Sequence, residues 1–202
     1  MSDEDNKQPE KQPDVAPPAT ATAKPAAKSA KAALPPDPRV VAAKATGEAM
    51  KATLDKQLGV TAVVEVSASK DVPILVIDKA YWVQAVQFLR DDALQSYDYL
   101  RMFSGTDYPN YIEIVIHLVS RKRNTALYVK TRTERDLAVV PSLTGLFQGV
   151  NWEEREVYDL LGVHFEGHPD LRRIMMWEGW KGYPLRKDYS PFEDLDERGG
   201  NV

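Results

Sequence analysis

Tyr111-Ile112-Glu113-Ile114-Val115-Ile116-His117-Leu118 is the stretch on which the fold turns. An isoleucine or leucine stands at every even position, and the odd positions mix aromatic, charged and smaller side chains. Side chains along an extended strand point to opposite faces in turn, so this alternation describes a strand with one buried face. The polar turn Arg121-Lys122-Arg123-Asn124 follows, and Thr125 to Thr131 supplies a partner strand, which makes a hairpin. Leu100 to Thr106 reads as another strand on the near side. Nothing aromatic or glycine-rich accompanies the basic turn, so it reads as a solvated loop rather than a phosphate contact.

Toward the N-terminus, Val72 to Ile77 reads as a strand. Pro73 lacks an N–H and so belongs on an edge or among the strand's first residues. Ala62 to Val66 is a further strand, followed by the turn-like Ser67-Ala68-Ser69-Lys70-Asp71. Asp78 is placed to cap a helix running to about Asp91, with Trp82, Val86 and Leu89 on its inner stripe and Ala85 beside them. Order is expected from Arg39. There a helix places Val41, Ala45, Met50, Leu54 and Leu58 on one side and stops at Gly59. Helices beside a run of antiparallel strands predict an α+β fold, with a small mixed, largely antiparallel sheet and flanking helices.

Residues 1–38 are rich in Ala, Pro, Lys and Gln, with no large apolar residue between Val15 and Leu34. Such a segment buries too little surface to offset its ordering entropy, and it reads as a disordered tail. Its first residues are acidic and lack an apolar core, so neither a secretory signal nor a transit peptide is expected. No apolar run approaches the ~20 residues needed to span a bilayer. The net charge of −4 disfavours non-specific binding to nucleic acid or anionic lipid. The chain has no cysteine, which removes the thiolates that hold iron–sulfur clusters, and only three histidines.

The densest information lies between Pro141 and Asp188, where charge, aromatics, Gly and Pro coincide. Asn151-Trp152-Glu153-Glu154 begins a helix with a capping-box-like spacing, and Gly162 suits its end. Val157, Tyr158, Leu160 and Leu161 form an apolar stripe with Glu154 in its middle. A carboxylate there needs a partner or backbone N–H donors. Arg155 is placed to pair with Asp159 at i,i+4. Two readings stay open. The helix caps itself and its charges face solvent, or Glu154 or Glu156 meets Arg172 or Arg173 across a tight loop.

Glu154, Glu156 and Asp159 also invite a paired-carboxylate acid/base reading, but the helix lacks a nucleophile-plus-base arrangement. His164 and His168 have a zinc-like i,i+4 spacing, yet Gly167 and Pro169 argue against a helix there. His168 is expected to bond a turn or a partner backbone. No glycine-rich nucleotide motif is present.

Glu154-Arg155-Glu156, two residues, Asp159, two apolar residues, six more, His168, three more, Arg172, then Ile174-Met175 resemble the signature of the 30 kDa subunit family of respiratory complex I, its C-type subunit. Trp152, the run His168-Pro169-Asp170-Leu171-Arg172-Arg173, and Pro184-Leu185-Arg186-Lys187-Asp188 strengthen the resemblance. Met175-Met176-Trp177 stands where the family often has a Leu-Pro run.

The resemblance implies a 30 kDa-subunit-like α+β domain over residues 39–181 and an extended, partner-wrapping C-terminal segment over 182–202. Tyr183, Leu185, Tyr189 and Phe192 would anchor that segment, and Arg172, Arg173 and Arg186 would offer forks to carboxylates across the contact. It further implies a structural subunit of a proton-translocating NADH:quinone oxidoreductase, with the signature residues as interface residues. This chain would carry no catalytic, cofactor or metal residue. FMN, Fe–S clusters and quinone would lie in partner subunits, with the D-type quinone-pocket subunit and the B- and I-type Fe–S subunits as neighbours. The expected location is peripheral, on the cytoplasmic side of the bacterial inner membrane. A homologous subunit of a membrane-bound hydrogenase-type complex and a stand-alone adaptor are the alternatives.

Overall fold

The computed structural model describes residues 37–190, and the expected tail lies outside them except for Asp37 and Pro38. Those two residues start α1 (Pro38–Leu58). The Asp37 side chain accepts from Arg39 N, and Pro38 occupies a first-turn position where its missing N–H is not needed. Gly59 ends the helix in the left-handed conformation, at φ 69°. The inward stripe is Ala43, Gly47, Met50 and Leu54. Val41 and Ala45, expected on that side, face solvent instead. The reason is Gly47. A Cβ there would sit 2.7 Å from Val66 Cγ1, so α1 crosses the sheet on its glycine and its rotation follows from that close approach.

Next come β1 (Val63–Ser69) and β2 (Val72–Ile77), an antiparallel hairpin. The expected five-residue turn contracts to Lys70-Asp71, because Ser67, Ala68 and Ser69 continue the ladder opposite Ile74, Pro73 and Val72. Lys70 takes the left-handed conformation, at φ 55°. Pro73 precedes the point where β2 begins to pair on its other side, so it sits among the strand's first residues rather than on an edge. Asp78 caps a short 3₁₀ turn (Lys79–Tyr81), which leads into α2 (Trp82–Asp91). Trp82, Ala85, Val86 and Leu89 are all buried, as their spacing predicts.

The strands β3 (Tyr99–Asp107), β4 (Tyr111–Ser120) and β5 (Thr125–Glu134) form an antiparallel meander. β5 then pairs in parallel with β2, giving one five-stranded sheet in the order β1-β2-β5-β4-β3. The fold is α+β with a mixed, mostly antiparallel sheet. Ile112, Ile114, Ile116 and Leu118 are wholly buried, as are Leu127 and Val129, which stand opposite Leu118 and Ile116 on β5. The other face of β4 carries Glu113, held by Lys130 at 2.5 Å and Arg132 at 3.1 Å.

Two three-residue strands that the sequence does not announce, β6 (Val139–Pro141) and β7 (His164–Glu166), pair in parallel and bracket α3 (Val150–Leu161). α3 lies on β3 at Gly105, where a Cβ would meet Leu161 Cδ1 at 2.7 Å and Val157 Cγ1 at 3.0 Å. Among the described residues no helix is long and apolar enough to cross a membrane.

Candidate functional site

The signature residues converge around α3 and the loops that follow it. Gly149 takes the N-cap position with no side-chain cap, so the expected capping box does not form and Asn151 lies inside the first turn. Gly162 ends the helix at φ 75°, and its N–H donates to the Tyr158 carbonyl. Glu154, Arg155, Val157, Asp159 and Leu161 are buried. Three charged side chains buried on one short helix require dedicated partners.

Glu154 finds its partners behind the helix. Leu143 N donates to Oε1 at 2.7 Å, and Ser142 Oγ donates to Oε2 at 2.7 Å. Burial pushes this carboxyl up to about 7, against the pull of those two donors. Arg172 bonds Asp170 and Arg173 bonds Asp159 instead, and Glu156 is exposed, so the expected bridge across the loop is not formed. Of the two kinds of partner open to this carboxylate, a backbone amide, joined by a hydroxyl, is the one that forms.

His168 bonds a turn, as expected. Its Nδ1 accepts from Asp170 N at 3.0 Å, and its Nε2 lies 3.1 Å from the Asn151 carbonyl, which suits a proton on Nε2. His164 belongs to strand β7 and faces solvent, so the two histidines do not share a helix face.

Asp159 serves the loop in front of α3. Its Oδ2 accepts from the amides of Ile174, Met175 and Met176 at 2.9, 2.7 and 2.9 Å, and its Oδ1 from Arg173 Nη1 at 2.7 Å. Burial by itself would raise its pKa. The three amides and Arg173 outweigh that and hold it below the usual carboxylate range. The expected i,i+4 pairing of Asp159 with Arg155 is therefore replaced. Arg155 instead donates from Nε to the Arg172 carbonyl at 3.1 Å and lies over the Trp152 ring at 4.7 Å.

Residues 182–190 rest on their own domain. Leu185 N and Arg186 Nε donate to the carbonyls of Leu160 and Leu161 at 3.0 and 2.7 Å, satisfying the open end of α3. The Tyr183 ring packs on Gly162, where a Cβ would lie 2.5 Å away, and takes Arg173 and Arg186 over it at 5.4 and 4.8 Å. Lys187 N donates to Asp107 Oδ2 at 2.8 Å. Arg135 grips both Asp107 (2.7 and 2.8 Å) and Asp188 (2.9 and 2.5 Å). Phe192 lies outside the described residues. Sequence reasoning missed Arg135, Asp107, Ser142 and Leu143. The one available signal was Asp107, an acid at the end of β3 two residues after Gly105.

Against this internal satisfaction, Trp152, Met175, Trp177 and Leu185 are 59% to 66% exposed. Trp177 makes an edge-on contact with Trp180, which in turn lies 6.3 Å from Tyr189. A buried polar framework therefore fixes a backbone that turns large apolar side chains outward.

Residues 75–194 match the family model of the respiratory-chain NADH dehydrogenase 30 Kd subunit. The C-type NADH-quinone oxidoreductase subunit of Mesorhizobium japonicum is 44% identical over 110 residues, covering 53% of this chain and 54% of that one. The protein of the same name from Burkholderia mallei is 38% identical over 152 residues, covering 70% of this chain and 76% of that one. This chain thus spans about half the length of the Mesorhizobium relative. A solved structure of the membrane-bound sulfane sulfur reductase, an archaeal respiratory membrane complex, shares the fold, with TM-score 0.54 and 21% identity over 76% of this chain and 91% of that one. The chain belongs to the family of the 30 kDa subunit of the respiratory-chain NADH dehydrogenase.

Proposed function

We propose that this chain is a structural, non-redox subunit of the hydrophilic arm of a proton-translocating NADH:quinone oxidoreductase. In this reading it packs against the D-type quinone-pocket subunit near the B- and I-type Fe–S subunits, on the cytoplasmic side of the bacterial inner membrane. FMN, Fe–S clusters and quinone belong to other subunits of the assembly. The names of the related proteins support the activity of the whole assembly. The absence of cysteine supports a chain that holds no thiolate-ligated cluster.

One observation carries the reading. The polar network around α3 holds the backbone that carries exposed tryptophan, methionine and leucine side chains. A cleft of about 450 Å³ between the start of β3 and the N-terminus of α3 is lined by none of the signature residues, and an open one of about 260 Å³ is lined by Arg186 and Asp188 with Tyr183 and Tyr189. Residues 182–190 add the exposed Leu185 to the same surface.

Affinity purification of the full tagged chain from solubilised membranes tests the reading. Recovery of NADH-oxidising and quinone-reducing subunits is expected. Recovery of hydrogenase-type partners would transfer the chain to that related complex, and recovery as a solitary protein would refute the reading.

A further inference from the structure

The signature arginines are not equivalent. Arg173 is spent on Asp159 and the Gly182 carbonyl, and Arg186 on the Leu161 carbonyl and the Tyr183 ring. Arg135 is spent on two aspartates. Arg155 and Arg172 differ. They are joined through backbone, since Arg155 Nε donates to the Arg172 carbonyl. Among the described residues one carboxylate reaches both guanidiniums. Asp170 lies 2.9 Å from Arg172 Nε and 3.9 Å from Arg155 Nη1.

Two guanidiniums therefore share one negative charge. The imbalance is costly at Arg155, whose side chain is 5% exposed, because desolvation magnifies an uncompensated charge. Arg172 is the opposite case, with a side chain 71% exposed and its bond to Asp170 made through Nε. Its outer edge is a planar two-donor fork open to solvent, the geometry that fits a carboxylate. The Trp152 ring lies against the Arg155 guanidinium at 4.7 Å and is itself exposed.

We propose that Arg155 and Arg172, grouped around Asp170 and walled by Trp152, form the receptor for an aspartate or glutamate side chain of a neighbouring subunit. The incoming carboxylate bonds the Arg172 fork, balances the second positive charge, and lays its aliphatic stem on the Trp152 ring. The inference rests on the reading of the chain as a subunit of a larger complex. It narrows that reading from a general surface to one ion-pair receptor.

The test uses the full chain expressed in its host membranes. Arg172→Ala removes exposed atoms, so the isolated chain is expected to unfold at the temperature of the unaltered one. Recovery of partner subunits should fall roughly tenfold or more for Arg172→Ala, as for an interface hot spot. Arg172→Lys places an amine at the receptor. Carbodiimide treatment of that complex should then link it to an aspartate or glutamate of a neighbour, identified by peptide mass. Full partner recovery with Arg172→Ala, or no such link in Arg172→Lys, overturns the proposal while leaving the subunit reading intact. If the unaltered chain recovers no respiratory subunits, the reading falls and the proposal with it.

Discussion

Glu154 and His168 face each other 4.0 Å apart, with both side chains wholly buried. Among the described residues no lysine or arginine reaches this carboxyl, and burial raises it to about 7. Its folded-state pKa therefore lies above the ordinary value of 4.5. A raised carboxyl contributes stability that is fully present below its unfolded pKa and is lost as pH rises through the folded value. Between those two limits the unaltered protein should lose stability, by an amount on the order of 3 kcal/mol at full effect. Glu154→Gln keeps the shape and removes the charge, so its stability should hold level over the same window. Chemical denaturation of both chains between about pH 5 and pH 8 measures this. Parallel profiles for the two would show that the carboxyl does not titrate there.

Asp159 shows the opposite sign. Its pKa is held below the usual range, so its contribution is present at neutral pH and is lost as pH falls through the folded value. Asp159→Ala strands the amides of Ile174, Met175 and Met176 and leaves Arg173 without its carboxylate. Breaking one partner of a buried charge pair costs ~3–5 kcal/mol. Amide exchange at residues 174–176 should accelerate before the sheet opens. Unchanged protection at those three amides would show that the loop is held by other means.

The β4–β5 hairpin and the inner stripe of α2 are legible in the sequence because burial on one face writes a period into it. The inner stripe of α1 is not, because alanine and glycine carry little hydrophobic contrast, and the side that packs is decided by how closely Gly47 approaches Val66. Glu154 is legible as a charge in an apolar stripe, but its partners are an amide and a hydroxyl from a loop with no distinctive residue pattern. Local spacing pairs Asp159 with Arg155, the nearest cation along the helix. The fold supplies Arg173 and three amides 14 to 17 residues away. β6 and β7 escape because three residues are too few to display alternation.

Arg135 separates two ion pairs by their burial. Asp107 has a side chain 2% exposed and Asp188 one 64% exposed. Exposed pairs contribute ~0–1 kcal/mol, and removing one member of a buried pair costs several. Asp107→Ala should therefore destabilise by about 3 kcal/mol or more, and Asp188→Ala by far less. Thermal unfolding of the two variants provides the comparison. Equal losses would mean that Asp188 is shielded from solvent and that the 182–190 segment is a full part of the domain.

Gly105 offers a test of packing free of charge effects. A Cβ added there meets Leu161 Cδ1 at 2.7 Å and Val157 Cγ1 at 3.0 Å, both on the buried face of α3. Relief requires Leu161 and Val157 to leave their packed positions, since Glu154 ties α3 to Leu143 behind it and Asp159 ties it to the loop in front. Gly105→Ala is thus expected to cost ~1–3 kcal/mol, the usual penalty for overfilling a packed core. Gly149→Ala is the matched control, since nothing lies within 4 Å of the added Cβ and the backbone there is already helical. It should change stability by about 0.5 kcal/mol or less. Denaturant midpoints for the pair decide the matter. A Gly105→Ala chain as stable as its control would mean that α3 rides loosely on β3, and a loosely held α3 could not keep Trp152 and Arg155 in one geometry for a partner.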